Sequence, residues 1–256
     1  MASETKPWVI YDRYFEDAKV LAQCLPQVNE AIPQISSAKS CVMIGAGYGH
    51  HHLPFIRECL PNVTKFVAVE AEEEHMEELK TRVAKQLPNV SIDYCVETPE
   101  NWKGTGERFD IALLFETLQY LSQSDRAALF KRLHDDILAS DGLVFMTIYP
   151  YSAQNPSGAF AKTLSRLGLP MESVDVAEIR DQMVSAGFSS CYELPFESNV
   201  SGGELSDDFM SLFVLMSGGS VSMEKVRETV TEEFGGKKSI PYALVLQAFK
   251  KQWLNR

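Results

Sequence analysis

The side chains best suited to chemistry in this 256-residue chain gather in four short stretches. The first, Ser40 to Leu53, reads SCVMIGAGYGHHHL, with glycines at 45, 47 and 49 running into three histidines. The second, Lys65 to Glu70, is an apolar run closed by a carboxylate, and the third, Glu97-Thr98, opens a polar loop. The fourth is Phe109 to Phe115, FDIALLF, followed at once by Glu116. Glycines placed after an apolar strand let the backbone turn tightly and approach a ligand more closely than a Cβ permits. The helix they lead into adds unsatisfied N–H donors and a positive dipole end. A carboxylate about twenty residues later, at the end of the next strand, can accept both hydroxyls of a ribose.

The pattern therefore points to a nucleotide-like ligand, and the spacing separates two classes of it. A dinucleotide needs a third glycine, for its pyrophosphate and for close helix packing, where this chain has His50. S-adenosylmethionine carries no phosphate and makes no such demand, so it is the expected cofactor. His50, His51 and His52 invite a metal reading, but neighbouring residues on a helix point about 100° apart, and no metal site is expected there. Glu72, Glu73 and Glu74 read as a solvated helix face.

The elements that must position these residues follow from periodicity. Residues 8–24 settle into helical spacing, Pro26 and Pro33 punctuate a second short segment, and residues 36–39 form a loop into the first strand. Beyond the glycine hairpin a helix is expected from His50 to Leu60, with its early Pro54 tolerated in the first turn. Strands are expected at Lys65–Glu70, Val90–Cys95, Phe109–Phe115, Leu143–Ile148, Ser189–Phe196 and Ile240–Phe249. Helices are expected at Glu72–Leu87, Ser124–Ala139, Gly158–Leu167, Val174–Ala186, Asp207–Met216 and Met223–Phe234, with Asp141-Gly142 as a turn. Strands alternating with helices as far as residue 148 imply right-handed crossovers and a parallel sheet covered on both faces. The last strand follows helices and precedes none, which predicts an antiparallel edge or insertion strand.

Composition narrows the function classes. A formal net charge of −11 argues against a nucleic-acid surface, which rests on clustered Lys and Arg. Five cysteines, an odd number without a C-x-x-C pair, read as reduced thiols of a cytoplasmic protein. The opening MASETKPWV lacks the pattern of a signal peptide, and no apolar run reaches the ~18 residues of a membrane span. A monomer is the expected state.

At these residues the chain resembles class I S-adenosylmethionine-dependent methyltransferases, and within them the histamine N-methyltransferase group. The carriers are IGAGYG, VAVEAEEEH, Glu97-Thr98, FDIALLFETLQYL and DDFMSLF near Asp207, in the family's order. The resemblance implies an α/β fold: a Rossmann-like, mostly parallel seven-stranded sheet with helices on both faces and a small substrate-capping region. Residues 1–256 would form one methyltransferase domain, with capping helices in 1–35, a cofactor core in 36–150 and the second half of the sheet in 151–256. It places Gly45, Gly47, Gly49, Glu70, His75, Thr98 and Phe115 at the cofactor, His75 and Phe115 differing from the family's usual side chains. For the substrate it implies Glu116 in place of a glutamine, a matching Tyr120, Tyr242 in place of an asparagine, and Asp12 or Arg13 near the family's N-terminal carboxylate.

Three of these four polar contacts are altered or shifted, so the implied acceptor is a small amine or imidazole-like heterocycle rather than histamine itself. Glu116 is the expected catalytic group, orienting the nitrogen and taking a proton, while Tyr11, Tyr14, Tyr120 and Tyr151 offer aromatic walls for a cation. A small-molecule O-methyltransferase, a cofactor-binding protein without turnover and a nicotinamide-dependent oxidoreductase stand as rivals. A Pro-Pro-aromatic signature of amino-DNA methylation is missing after the fourth strand, where the chain has Phe115-Glu116-Thr117-Leu118.

Overall fold

The computed structural model describes residues 6–152, 156–169, 171–200, 206–235, 237 and 240–252. The ends of the expected 1–256 span and the first five residues of MASETKPWV lie outside them. Two helices, α1 (Pro7–Tyr14) and α2 (Asp17–Ala31), precede the sheet. They are followed by β1 (Ser40–Ile44), α3 (His52–Cys59), β2 (Lys65–Glu70), α4 (Glu73–Gln86), β3 (Ser91–Val96) and β4 (Phe109–Phe115). The second half holds α5 (Gln123–Arg132), β5 (Leu138–Ile148), α6 (Gly158–Arg166), α7 (Val176–Ser185), β6 (Phe188–Val200), α8 (Asp207–Met216), α9 (Met223–Phe234) and β7 (Ile240–Lys251).

The strands form one seven-stranded sheet in the order β3-β2-β1-β4-β5-β7-β6. The first five pair in parallel, while β7 runs antiparallel between β5 and β6. The expected C-terminal antiparallel strand is thus an insertion strand, and β6 forms the edge. The result is an α/β sheet, parallel over five strands, with helices on both faces.

Burial follows from strand chemistry. In β1 and β2 every residue after the first is buried, as in strands covered on both faces. On one face Leu21 and Leu25 of α2, Phe55 of α3 and Leu79 of α4 pack over Phe66 and Phe145. On the other, Phe130 of α5 and Ile179 of α7 cover Phe109 and Val144. A third cluster joins α1, α6, α8 and α9 to Tyr149 and Tyr242, beyond the carboxyl ends of β4 and β5. Serines at 122, 206 and 222 accept a backbone N–H three residues on and so set the starts of α5, α8 and α9.

Four local expectations give way. Pro26 does not interrupt the chain but lies inside α2, whose packing against the sheet tolerates the lost N–H. The expected helix Ser124–Ala139 ends early in a π turn at Leu133–Ile137, and β5 begins at Leu138. Asp141-Gly142 is no free turn: it falls within β5, where the register slips between Phe109 and Ile111. Finally, α3 starts at His52, leaving His50 and His51 in the turn before it.

Candidate active site

A cavity of about 680 Å³ opens at the carboxyl ends of β1, β2 and β4, where open α/β sheets hold their ligands. The glycine hairpin forms its floor. Gly45 stands at φ +66°, and a Cβ there would lie 2.5 Å from Thr117 Oγ1, whose hydroxyl donates 3.0 Å to the Ile44 carbonyl. The loop after β1 is thereby fastened to the turn after β4. Gly47 has open space where a Cβ would stand, and its N–H donates 2.6 Å to Glu70 Oε2.

Glu70 closes β2 and is nearly buried. Its other oxygen accepts the Glu72 N–H at 3.1 Å and lies 3.7 Å from His75 Nδ1. Burial alone would raise its carboxyl, but His75 and the amides of Glu72 and Gly47 together hold it below its ordinary range, so it is ionised at neutral pH. Further along the wall lies Thr98, whose Oγ1 is buried without a hydrogen-bond partner. Phe115 completes this side, its ring 5.0 Å from that of His52.

Gly49 corrects the expectation set for it. It does not line the cavity; a Cβ there would sit 2.7 Å from Leu79 Cδ1 and 2.9 Å from Leu53 Cγ, so this glycine lets α3 and α4 close on the loop. Gly49→Ala therefore costs about 2–4 kcal/mol of stability, overpacking added to left-handed backbone strain. Gly47→Ala pays only the strain, about 1–2 kcal/mol. Urea unfolding of both variants checks the order, and equal losses would remove the packing role of Gly49.

Glu116 follows β4 at φ +50°, the one non-glycine residue with positive φ among the described residues. Its N–H donates 3.0 Å to Thr147 Oγ1, and the neighbouring Thr117 is tied to Ile44, so the two anchors hold the unfavourable backbone. The carboxylate faces Tyr11, whose hydroxyl donates to Oε2 at 3.4 Å, and His51, whose Nε2 is 3.7 Å from Oε1. Burial pushes Glu116 up to about 7 against the pull of His51, with Asp17 adding to the rise.

Beyond Glu116 the cavity is aromatic. Tyr11 stacks on Phe15 at 4.0 Å, and the rings of Phe15, Tyr149 and Phe160 each lie 5.8–6.3 Å from that of Tyr242. Tyr120 stands exposed at the mouth, and Leu212 and Met216 of α8 close the far wall. Among the described residues no lysine or arginine lines the cavity.

Of the expected site residues, the cavity brings together Tyr11, Gly45, Gly47, Glu70, His75, Thr98, Phe115, Glu116, Tyr120 and Tyr242. Three others lie elsewhere. The Tyr14 hydroxyl is 2.5 Å from Ser206 Oγ, joining α1 to the cap of α8. Tyr151 is buried in the third cluster, where its backbone bridges to Val174. Asp12 faces away from the cavity, holding Arg82 Nη2 at 2.7 Å and His50 Nδ1 at 2.9 Å. One short amphipathic helix presents Tyr11 to the cavity and turns Asp12 and Tyr14 aside, because adjacent helical residues diverge.

The sequence reading missed Asp17, His50 and His51. His50 Nε2 and His51 Nε2 both lie 2.9 Å from Asp17, the first residue of α2, which is wholly buried. The helical divergence argument fails here because His50 and His51 precede α3. Burial opposes protonation of His50, but Asp12 and Asp17 outweigh it and raise this imidazole to about 9. His52, buried against Phe115, falls to about 3 and is neutral. A run of histidines following a glycine hairpin was the available signal; Asp17 gave none.

Comparison with known proteins places this geometry. A candidate methyltransferase from Bacillus halodurans C-125 superposes with a TM-score of 0.66 at 17% identity, over 92% of this chain and 100% of that one. The YcgJ protein from Bacillus subtilis gives 0.62 at 18% identity, over 90% and 99%. Magnesium protoporphyrin IX methyltransferase from Synechocystis PCC 6803, with S-adenosylmethionine bound, gives 0.53 at 11% identity, over 92% and 80%. No curated protein matches the sequence. The fold is that of class I S-adenosylmethionine-dependent methyltransferases. Residues 42–142 match, more particularly, the family described as "Methyltransferase domain".

S-adenosylmethionine is the ligand this fold holds in the Synechocystis enzyme. The cavity fits it: an ionised carboxylate at Glu70, an unpartnered hydroxyl at Thr98 and open space over Gly47 are the features a ribosyl sulfonium cofactor needs.

Proposed function

We propose that this enzyme methylates a nitrogen of a small amine or imidazole-like molecule, a histamine-like acceptor. The observation that carries the reading is a cavity in which one partly buried carboxylate, Glu116, faces a cluster of aromatic rings, with no lysine or arginine among the described lining residues. Ring faces and a carboxylate attract a cationic or N–H-bearing group, and they offer nothing to an anion.

When bound, S-adenosylmethionine supplies an electrophilic methyl group on a sulfonium. The chain's part is to hold a nitrogen lone pair in line with that carbon, and orientation of this kind is worth up to about 7–11 kcal/mol. Glu70 accepts the ribose hydroxyls, the Gly45–Gly47 backbone, His75 and Thr98 fix the rest of the cofactor, and Phe115 separates its pocket from the acceptor's. Glu116 accepts a hydrogen bond from the acceptor nitrogen at its carboxylate oxygens and takes the proton released there. Tyr11 holds Glu116 in place, Tyr242 forms the opposite wall, and Tyr120 guards the entrance. The whole chain then works as a single methyltransferase domain.

The test is incubation with methyl-labelled S-adenosylmethionine, a metabolite extract and parallel panels of amines, imidazoles and phenols, with mass identification of the product. Label on nitrogen supports the reading. Label on a phenolic oxygen, or cofactor binding in calorimetry without turnover on any panel, overturns it.

A further inference from the structure

We propose that Asp17, His50 and His51 form a binding site for a divalent transition cation of the zinc type, set in the wall of the cavity. The proposal does not depend on which acceptor is methylated. One donor atom from each residue lies within 4.8 Å of the others, and the closest pairs, each imidazole to the carboxylate, are 2.9 Å apart. Donors around a tetrahedral zinc, with bonds of about 2.1 Å, stand about 3.4 Å from one another. The two imidazoles meet different oxygens of Asp17, so the side chains must turn to bring their donors, now up to 4.8 Å apart, to that spacing.

A second observation concerns alignment. His51 Nε2 and Asp17 Oδ2 are 2.9 Å apart, yet neither makes a hydrogen bond, because the imidazole N–H direction is not aimed along the line between them. Both atoms belong to residues more than nine-tenths buried, where an unpartnered polar atom costs about 1–3 kcal/mol. Two adjacent buried polar atoms left without partners are atoms that one bound ion would satisfy together.

A third observation lies one shell out. His50 Nδ1 is 2.9 Å from Asp12 Oδ1, and Asp12 is gripped by both terminal nitrogens of Arg82. An ion would take the place of the proton that His50 Nε2 shares with Asp17 Oδ1 at 2.9 Å, while Nδ1 keeps its hydrogen bond to the anchored Asp12 carboxylate, the usual support of a metal-bound histidine. Two imidazoles with one carboxylate suit borderline cations such as zinc and not calcium or magnesium, which take oxygen ligands. Glu116 Oε1, 3.7 Å from His51 Nε2, marks the side on which a fourth position would meet the cavity. Such an ion would fasten the start of α2 to the turn that follows the glycine hairpin.

The experiment is calorimetric titration of chelator-stripped full-length protein with Zn²⁺, repeated with Co²⁺ while visible absorption is recorded. One ion per chain is expected, with the intense visible bands of tetrahedral cobalt bound through nitrogen. Asp17→Asn and His51→Ala should weaken Zn²⁺ binding by about 100-fold or more, and Asp12→Asn by about 10–100-fold. His134→Ala, far from the cluster, should leave it unchanged. Circular dichroism shows which stripped variants are folded. If Asp17→Asn is not, Asp12→Asn and His51→Ala decide. Sub-stoichiometric Zn²⁺ binding, or an affinity that Asp12→Asn and His51→Ala both leave intact, overturns the proposal.

Discussion

Glu70→Ala should bind S-adenosylmethionine at least about 100-fold more weakly than the parent, the loss of two hydrogen bonds to a charged acceptor at about 1.5–3 kcal/mol each. The side chain has two duties. In the proposed site it would present the ribose acceptor, and by receiving the Gly47 and Glu72 amides it joins the β1 and β2 loops. Glu70→Gln should fall between, because its amide NH₂ faces one of those backbone donors. The pH dependence has a definite sign. The folded carboxyl lies below its ordinary value of 4.5, so its contribution is complete above that value and is lost only as pH falls through the lowered one. Cofactor affinity should be flat across neutral pH and decline only in acid. Calorimetry over a pH series reads both results, and a Glu70→Ala protein within tenfold of the parent would remove the ribose assignment.

Glu116→Gln should lower kcat by about 100- to 1,000-fold, the usual scale of a proton-transfer group, while the S-adenosylmethionine Kd stays unchanged. Tyr11 can still donate to the amide oxygen, so the pocket keeps its shape. Glu116→Gly tests the backbone separately. At φ +50° glycine is relaxed where glutamate is strained, so this variant should gain about 1 kcal/mol of stability while losing turnover. Chemical denaturation beside steady-state kinetics separates the two effects. A fully active Glu116→Gln enzyme would show that proton handling lies elsewhere.

What could be read from the sequence was what chain-local physics controls. Apolar runs and glycine spacing located β1 to β4 and the cavity at their ends, since strand burial and hairpin conformation depend on a few adjacent residues. The acid at the end of β2 and the one after β4 came with them. What escaped was decided by rotation and by distant packing. Residues 11–14 contain two tyrosines and an aspartate in nearly one helical turn, and only the docking of α1 against α8 determines that Tyr11 enters the cavity while Tyr14 seeks Ser206. Gly49 was read by its company in the motif, whereas its function is set by Leu79, thirty residues away. Asp17 resembles any first-turn helix acid until α2 is laid beside the glycine hairpin.

The placement of β7 between β5 and β6 governs the order in which the molecule can be completed. Until residues 240–251 arrive, β6 has no strand to pair with and the five parallel strands end in an open edge at β5. The wall carrying Tyr242 is missing for the same interval, so a nascent or interrupted chain has a cofactor hairpin without a finished acceptor chamber. Its two unsatisfied edges, both rich in β-branched and aromatic residues, are then the surfaces through which such a chain would associate with its own copies. β7, the last of these strands to be made, thus both seals the sheet and completes the cavity wall that carries Tyr242.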